Sequence, residues 1–272
     1  MKTPYAGRQA KFLLMSNMRT GSTWLITMLG ALPDTVTDYE LKWKVDYVPQ
    51  DVHYVLDELS PTVSDILDGL ADGAAVLGSK FVFDPVKLTS AEFLKLRSKL
   101  DAEVRVVHLV RRYRDIFLSR RRGALHRFNE SSSWRLGKHF RTALDVRPED
   151  LCLPMAAPAC VSRAACFKEL KIYLKNDVWI SSMRETGVQY LKVSYETLRA
   201  KMPEVVSFIG STATPDQISA VVRAPVTLKL PEVTPAQLVE NIAELDPLFE
   251  EFERLRERLT GGIATEPARA PR

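Results

Sequence analysis

The feature that most constrains this fold is a short polar turn near the start of the chain. The apolar run Phe12-Leu-Leu-Met15 predicts a buried strand, and the amphipathic segment after Gly21 predicts a helix. Unpaired N–H groups and the dipole at a helix N-terminus favour an anion, and Arg19 adds a fixed positive charge beside them. The turn lacks the Gly-x4-Gly-Lys-Ser/Thr spacing of a nucleoside-triphosphate loop. We therefore expect a phosphorylated ligand other than ATP with magnesium.

The composition limits the class of protein. The chain has 272 residues, of which 46% are hydrophobic and 26% charged, as in an ordinary globular domain. A net charge of +4 is mild and does not point to a nucleic-acid partner. No apolar stretch approaches the roughly 20 residues that span a bilayer, and no signal peptide pattern opens the chain, so a soluble cytoplasmic protein is expected. Cys152, Cys160 and Cys166 fit neither a disulfide framework nor a zinc site, and no metal is expected.

The rest of the chain alternates strand-like and helix-like segments. Strands are predicted at 74–82, 104–110 and 188–193, with helical segments between them, which indicates βαβ units and an α/β fold with a mostly parallel central sheet. Thr89 and Glu92 have the spacing of a capping box that opens a helix. His108 lies within a predicted buried strand and is interpreted as a core residue.

The chain is interpreted as a single domain over residues 1–260. A mostly helical insertion at about 120–187 is expected to cover a substrate or to form a dimer surface. The C-terminal helical region is predicted to begin at Thr234-Pro235 and to be divided by Pro247. Residues 261–272 are predicted to form a disordered tail.

A second candidate anion site follows the strand 104–110. Arg111 stands at the strand end, and Ser119 follows eight residues later on a predicted helix that Asp115 is placed to cap. A guanidinium and a hydroxyl in this arrangement can hold one phosphate, since the arginine fork donates two parallel bonds. Ligands of open α/β sheets gather at the carboxyl ends of the strands, where both candidate sites belong. Two separate anion sites imply a ligand with two phosphates. Alternatively, Arg111 and Ser119 are a cation and a hydroxyl on the protein surface.

Three segments in this order resemble those of the PAPS-dependent sulfotransferases. Arg19-Thr-Gly-Ser-Thr-Trp24 is similar to the family's loop for the 5′-phosphosulfate, and Val106 through Arg111 to Ser119 is similar to its 3′-phosphate element. Leu191-Lys-Val-Ser-Tyr-Glu-Thr-Leu198 resembles a late strand and helix signature of the same family. The resemblance covers about residues 10–210. It is closer to bacterial and carbohydrate-directed members than to the cytosolic steroid and phenol enzymes.

The resemblance implies a P-loop-like three-layer fold, a helical substrate-covering region, and PAPS as cofactor with PAP as product. It assigns the 3′-phosphate to Arg111 and Ser119 and places Tyr195 near the adenine. It assigns the 5′ end of PAPS to six consecutive residues, Arg19, Thr20, Gly21, Ser22, Thr23 and Trp24. Tyr195 and Glu196 are alternatively residues that cap and pack the following helix.

The resemblance also implies an in-line displacement in which positioning and charge stabilisation do most of the catalytic work. Arg19 is the candidate for stabilising the departing 5′-phosphate. Cytosolic members carry a catalytic His two residues after a strand Lys, but Val82 stands at that position after Lys80. Glu40 matches instead the Glu that bacterial and carbohydrate-directed relatives use as general base. Lys80 is expected to orient the sulfuryl group or the acceptor.

Several interpretations stay open at this point. Glu40 is also readable as an ordinary solvated carboxylate, and a Lys80 at a buried strand needs an anionic partner or an exit to water. The arginines of residues 111–127 are readable as a solvated helix face, as a surface for an acidic acceptor, or, least favoured, as a nucleic-acid surface.

The favoured function is transfer of a sulfuryl group from PAPS to a hydroxyl of a small molecule or glycan, most plausibly a carbohydrate or glycolipid. A P-loop kinase and a non-catalytic protein that binds PAP or an anionic glycan are the alternatives. A homodimer is compatible with the sequence.

Overall fold

The computed structural model of the chain describes residues 9–37, 41–43, 54–56, 61–70, 74–83, 89–129, 158–224 and 233–261. Within these ranges the chain forms one parallel sheet with helices against both of its faces. This confirms the predicted α/β class with a central parallel sheet.

The first strand of the chain lies inside the sheet, between β5 and β6. The strand order is β4-β3-β5-β1-β6-β7, β2 also pairs with β5, and every pairing is parallel. The strands are β1 (Ala10–Asn17), β2 (Thr35–Thr37), β3 (Leu41–Trp43), β4 (Tyr54–Leu56), β5 (Val76–Phe83), β6 (Val104–Val110) and β7 (Tyr190–Ser194). The carboxyl ends of β1, β5, β6 and β7 therefore meet along one edge, where ligands of such sheets bind.

The helices occupy the segments between and after the strands. They are α1 (Ser22–Gly30), α2 (Val63–Asp68), α3 (Ser90–Ser98), α4 (Tyr113–Asn129), α5 (Arg163–Ser181), α6 (Leu198–Ile209), α7 (Pro215–Arg223), α8 (Pro235–Leu238) and α9 (Ile242–Thr260). Two short 3₁₀ turns, Ser182–Thr186 and Tyr195–Thr197, flank β7.

The central strand β1 is buried on both faces, which explains its continuous apolar sequence. Phe12 and Leu14 pack in a cluster with residues of α1 and α6, whereas Leu13 and Met15 pack on the other side with residues of α2 and α3. A third apolar cluster joins α4, α5 and α9. Side chains of a strand alternate between the two faces of the sheet, so a strand that is apolar on both faces needs helices on both sides to cover it. This requirement produces the three layers of helix, sheet and helix.

Local sequence signals agree with the structure at some helix ends and fail at others. Thr89 and Glu92 form the predicted capping box at the start of α3. α4 begins at Tyr113, so Asp115 lies in its first turn and the prediction that it caps the helix is wrong. The prediction that Pro247 divides the C-terminal region is also wrong, because α9 continues through it. Leu248, Phe249 and Phe252 of α9 are buried, and this packing outweighs the missing hydrogen bond at the proline.

Two predicted regions lie partly outside the described residues. Of the predicted insertion at 120–187, the structure describes the end of α4 and residues 158–187, and α5 packs against β1 in the main core. Residues 262–272 of the predicted tail lie outside the described ranges, and the single-domain boundary stays a prediction. No described helix is both long and apolar enough to cross a membrane.

Candidate anion-binding site

The turn between β1 and α1 has an unusual backbone. Arg19 has φ 63° and Gly21 has φ 93°, so two left-handed residues flank Thr20. Left-handed residues in such turns gather N–H groups into a concave anion site, and the conformation is costly for a non-glycine residue such as Arg19. At Gly21 a Cβ atom would lie 2.3 Å from Cε2 of Tyr195. The position therefore requires glycine both for its backbone conformation and for the ring packed against it.

The helix that follows this turn has a bare N-terminus. No side chain caps α1 at Gly21, and its first turn contains no acidic residue. By contrast, side chains of Thr62, Thr89 and Thr214 cap α2, α3 and α7. The N-terminal amides of α1 are thus left for an anion from outside the helix.

Arg111 joins the second candidate element to the first. Its Nη1 donates to the main-chain oxygen of Arg19 at 3.1 Å, and its guanidinium lies 4.5 Å from the centre of the Tyr195 ring. Its Nε is buried and has no hydrogen-bond partner among the described residues. The structure therefore places Arg19 and Arg111 next to each other at the carboxyl ends of neighbouring strands.

Lys80 reaches the same place from β5. Only 2% of the residue is exposed, and Nζ donates to Oγ1 of Thr23 at 2.9 Å. Thr23 lies in the first turn of α1, so the ammonium group is directed toward the bare helix N-terminus. A buried ammonium group needs such polar partners, which explains why the strand tolerates a lysine here.

Tyr195 packs on the turn rather than standing apart from it. Its ring contacts Gly21 and lies edge to face with Trp24, with the ring centres 6.1 Å apart. The neighbouring Glu196 accepts a bond from the amide of Arg112 at 3.0 Å and another from the Ser194 hydroxyl. Burial raises the pKa of Glu196, but these hydrogen bonds outweigh it and lower the pKa overall. Glu196 thus ties the end of β7 to the end of β6.

The remaining candidates are placed less directly. Thr20 and Ser22 are buried, and the Thr20 hydroxyl donates to the main-chain oxygen of Asn17 at 2.9 Å. Ser119 is half-buried on α4, and no hydrogen bond joins it to Arg111 within the part of the chain described. Glu40 lies outside the described residues.

Some of the arginines within residues 111–127 form ion pairs between helices. Arg114 pairs with Asp246 of α9 at 2.7 Å, and both Arg120 and Arg121 pair with Glu169 of α5, at 3.2 and 2.6 Å. These arginines join α4 to the two helices packed on it. Arg112 is exposed.

Beneath the two turns lies a buried polar network around Asp177 of α5, which is 1% exposed. Its Oδ1 accepts from Nδ2 of Asn17 at 2.6 Å, and its Oδ2 accepts from the hydroxyl of Tyr113 at 2.9 Å. Nη1 of Arg256 lies 3.7 Å from Oδ2, and Nε2 of His108 lies 3.3 Å from Oδ1. One carboxylate therefore contacts β1, β6, the start of α4 and α9.

The protonation states in this network follow from burial. Burial lowers the pKa of His108, so its ring is neutral, and a carboxylate facing Nε2 places the proton on that nitrogen. Nδ1 then accepts from the Tyr190 hydroxyl at 2.5 Å. Burial and the nearby Asp177 raise the pKa of Tyr113 well above its usual value. For Arg256, burial alone lowers the pKa, but Asp177 and Glu253 outweigh it and hold the guanidinium charged.

Sequence reasoning missed this network almost entirely. It identified His108 as a core residue, which its complete burial confirms. Asn17 gave a weak signal as a polar residue at the end of an apolar strand. Asp177 and its neighbour Asn176 lie on the buried face of α5 among both apolar and polar side chains, which indicates a buried polar site but not its partners.

Comparisons with known proteins concern overall structure alone. No family model matches the chain, and no curated protein matches it in sequence. A sulfotransferase from Alicyclobacillus acidocaldarius is similar in structure, with 13% identity and a TM-score of 0.46 over 94% of this chain and 97% of the other. Mouse sulfotransferase SULT7A1 complexed with PAP is similar with 12% identity and a TM-score of 0.46 over 93% of this chain and 89% of the other. The function of this chain has therefore to be inferred from its own residues.

Proposed function

We propose that this protein is a sulfotransferase that moves the sulfuryl group of PAPS to a hydroxyl acceptor. The observation that carries the proposal is the direct bond from Arg111 Nη1 to the main-chain oxygen of Arg19. It joins the two elements whose sequences resemble the family's 5′-phosphosulfate loop and 3′-phosphate element. A ligand with two separated phosphate groups suits two such cationic turns side by side.

The residues present fit such a cofactor. The bare N-terminus of α1 offers main-chain amides to an anion, and Lys80 adds a charge there through its contact with Thr23. The buried Nε of Arg111 lacks a hydrogen-bond partner among the described residues, and a bound oxyanion supplies one. Among these residues no group of three His, Cys, Asp or Glu side chains is placed to hold a metal.

Bound PAPS supplies the sulfuryl group, and PAP is the product. Arg19 and the amides of the turn hold the 5′ end and stabilise negative charge on the departing phosphate. Arginine keeps its proton, so its role is electrostatic rather than that of a general acid. Lys80 orients the group being transferred, while Arg111 with Ser119 holds the 3′-phosphate. Trp24 belongs to the turn that holds the 5′ end, and Tyr195 provides aromatic surface for the adenine.

Glu40 is proposed as the general base that takes the proton of the acceptor hydroxyl as its oxygen bonds to sulfur. Support comes from its neighbours in the chain. Leu41 pairs with Phe81 in the sheet, and Phe81 follows Lys80. The residue after the proposed base is thus adjacent in the sheet to the residue after the proposed sulfuryl-orienting lysine.

The acceptor is proposed to be a carbohydrate or glycolipid. The support is the residue pattern: Val82 replaces the His of the cytosolic steroid and phenol enzymes, and Glu40 matches the carbohydrate-directed members. A P-loop kinase is disfavoured because Ser22 stands where such a loop places its lysine after Gly21.

Calorimetry with PAP is the first test. We expect binding at concentrations on the order of tens of micromolar or below. Arg111→Ala should weaken it by roughly 100-fold, because a charge-assisted pair of bonds and the link to Arg19 are lost together. Arg112→Ala, which removes an equal charge from the exposed neighbouring position, is the matched control and should change affinity less than about threefold. No binding by the wild-type protein would refute the proposal.

Glu40→Gln separates binding from chemistry. We expect it to bind PAP as the wild type does and to lose about 100-fold or more in turnover with an acceptor, because only the base is removed. Transfer of radiolabelled sulfate from PAPS to a panel of glycans measures this. Unchanged turnover would remove Glu40 as the base. Tight PAP binding with no transfer to any acceptor would favour the non-catalytic alternative.

A further inference from the structure

We infer that Asp177 is a positioning residue that fixes both cofactor turns to α5 and so sets the relative position of the two phosphate sites. The inference rests on the proposed function for the identity of the ligand. That Asp177 holds the two turns in place follows from the contacts below and does not depend on the ligand. Asp177 is 1% exposed and lies in the α5 layer, so it acts through other residues and does not touch a ligand.

The first arm leads from Asp177 to the turn after β1. Asn17 ends the strand, and its side-chain amide donates both to Asp177 Oδ1 at 2.6 Å and to the main-chain oxygen of Tyr173 at 3.1 Å. Its Oδ1 accepts from Asn176 at 2.9 Å, so α5 satisfies both ends of the amide. The main-chain oxygen of Asn17 in turn accepts the Thr20 hydroxyl. Two hydrogen bonds therefore separate the carboxylate from the middle of the 5′ turn.

The second arm leads to Arg111. Arg256 lies against Asp177 and donates from Nη1 to the main-chain oxygen of Arg111 at 2.8 Å. Tyr113, two residues after Arg111, donates its hydroxyl to Asp177 Oδ2. The main chain that follows the proposed phosphate-binding arginine is thus held at two points, the Arg111 carbonyl and Tyr113. Because Arg111 also bonds to the main chain of Arg19, the two arms close into one ring of contacts.

The chemistry of this position requires a carboxylate. Its contacts present four donors: the Asn17 amide, the Tyr113 hydroxyl, Nε2–H of neutral His108 and the Arg256 guanidinium. The carboxylate accepts hydrogen bonds from the first three and pairs by charge with Arg256, 3.7 Å away, whereas an asparagine brings an NH₂ group that faces donors on one side. Asp177→Asn keeps the volume but removes the negative charge and one of the two acceptor oxygens, so it should loosen both arms together.

The chain offers a matched control at the opposite end of the sheet. Asp34 is 7% exposed and accepts four hydrogen bonds, from Ser211 Oγ, Thr212 N, Thr212 Oγ1 and Thr35 Oγ1, at 2.7, 2.7, 3.0 and 3.2 Å. It lies next to the amino end of β5, since Val76 N donates to its main-chain oxygen. Asp34→Asn therefore disturbs a buried carboxylate that also accepts several hydrogen bonds but lies away from both turns.

The test compares Asp177→Asn with Asp34→Asn in the full chain. Hydrogen exchange of the protein without ligand, read on peptides that cover residues 17–24 and 109–114, should rise by about tenfold or more in Asp177→Asn and remain near wild type in Asp34→Asn. Calorimetry with PAP should show roughly tenfold weaker binding for Asp177→Asn alone. Equal effects of the two variants on exchange in these peptides would overturn the inference.

Two further variants keep the test decisive if Asp177→Asn does not fold. Tyr113→Phe removes one donor and Arg256→Lys shortens the second arm, and each should raise exchange in residues 109–114 more than in residues 17–24. If exchange responds as expected but wild-type protein does not bind PAP, the proposed function fails and the positioning role stands. If PAP binds and neither single variant alters exchange at 109–114, the positioning role fails and the proposed function stands.

Discussion

Each end of the parallel sheet contains a buried aspartate that accepts several hydrogen bonds, yet the two aspartates differ in the groups they contact. At the amino end, Asp34 accepts from hydroxyls and one main-chain amide of neighbouring turns. At the carboxyl end, Asp177 holds an arginine, an amide, a phenol and an imidazole from four separate elements. The first arrangement fastens a loop. The second fixes the geometry of strand ends, which is where a ligand site in this fold needs rigidity.

Replacing glycines at the two ends should give the largest difference. Gly21→Ala places a Cβ 2.3 Å from the Tyr195 ring, while Gly187, before β7 at the amino end, has φ 83° and no atom within 4 Å of such a Cβ. Both variants carry the backbone penalty of about 1 kcal/mol, but only Gly21→Ala must also displace the ring. We expect PAP affinity to fall by about 100-fold or more in Gly21→Ala.

Calorimetric titration and thermal unfolding of the two glycine variants measure this. Gly187→Ala should bind PAP like the wild type, and its free energy of unfolding should fall only by the backbone penalty of about 1 kcal/mol. Similar PAP affinities in both variants would contradict the view that the Tyr195 ring, packed against Gly21, keeps the turn in the shape that binds PAP.

Truncating the two aspartates should give the next largest difference. Asp177→Ala removes one of the two carboxylates that face the buried Arg256 guanidinium and leaves the Asn17 and Tyr113 donors unpaired, which costs about 3–5 kcal/mol in the free energy of unfolding. Asp34→Ala leaves neutral donors unpaired, which costs about 1–3 kcal/mol. Chemical denaturation measures both. A larger loss at Asp34 would show that Glu253, which also pairs with Arg256, carries that charge without Asp177.

The smallest expected effect is a difference between the two ends of the sheet in how stability changes with pH. Burial lowers the pKa of His108 below its ordinary value of 6.5, so the unfolded chain binds a proton that the folded chain does not, and stability falls as the pH drops below that value. At Asp34 burial raises the pKa, but its hydrogen bonds outweigh this and lower it below 3.8. The ionised Asp34 carboxylate therefore contributes fully to the free energy of unfolding above pH 3.8. This contribution is lost as the pH falls through the lower pKa that Asp34 has in the folded state. The carboxyl end should therefore weaken first on acidification.

Denaturation curves between about pH 7 and pH 3 separate the two groups. His108→Gln should flatten the decline that begins near pH 6.5, and Asp34→Asn should flatten the decline that begins near pH 3.8. A wild-type profile that His108→Gln leaves unchanged near pH 6 would contradict a neutral, buried imidazole.

Contacts local in sequence were predictable, and those between distant elements were not. The turn after β1, the position of Arg111 and the capping box at Thr89 follow from spacing within a few residues. Pro247 misled the prediction because burial of α9, which no short window shows, outweighs the local cost of a proline. Asp177 was missed because its partner Asn17 lies 160 residues away.

By itself the sequence determined that the chain forms a parallel α/β sheet with two cationic turns at strand ends, since apolar periodicity and turn residues act over short distances. Only the tertiary structure decided that Arg111 bonds to Arg19, and that one buried carboxylate bonds to Asn17 at the end of β1 and reaches Arg111 through Arg256. Hydrogen-bond partners are set by which side chains burial brings together, and burial depends on packing between elements far apart in the chain.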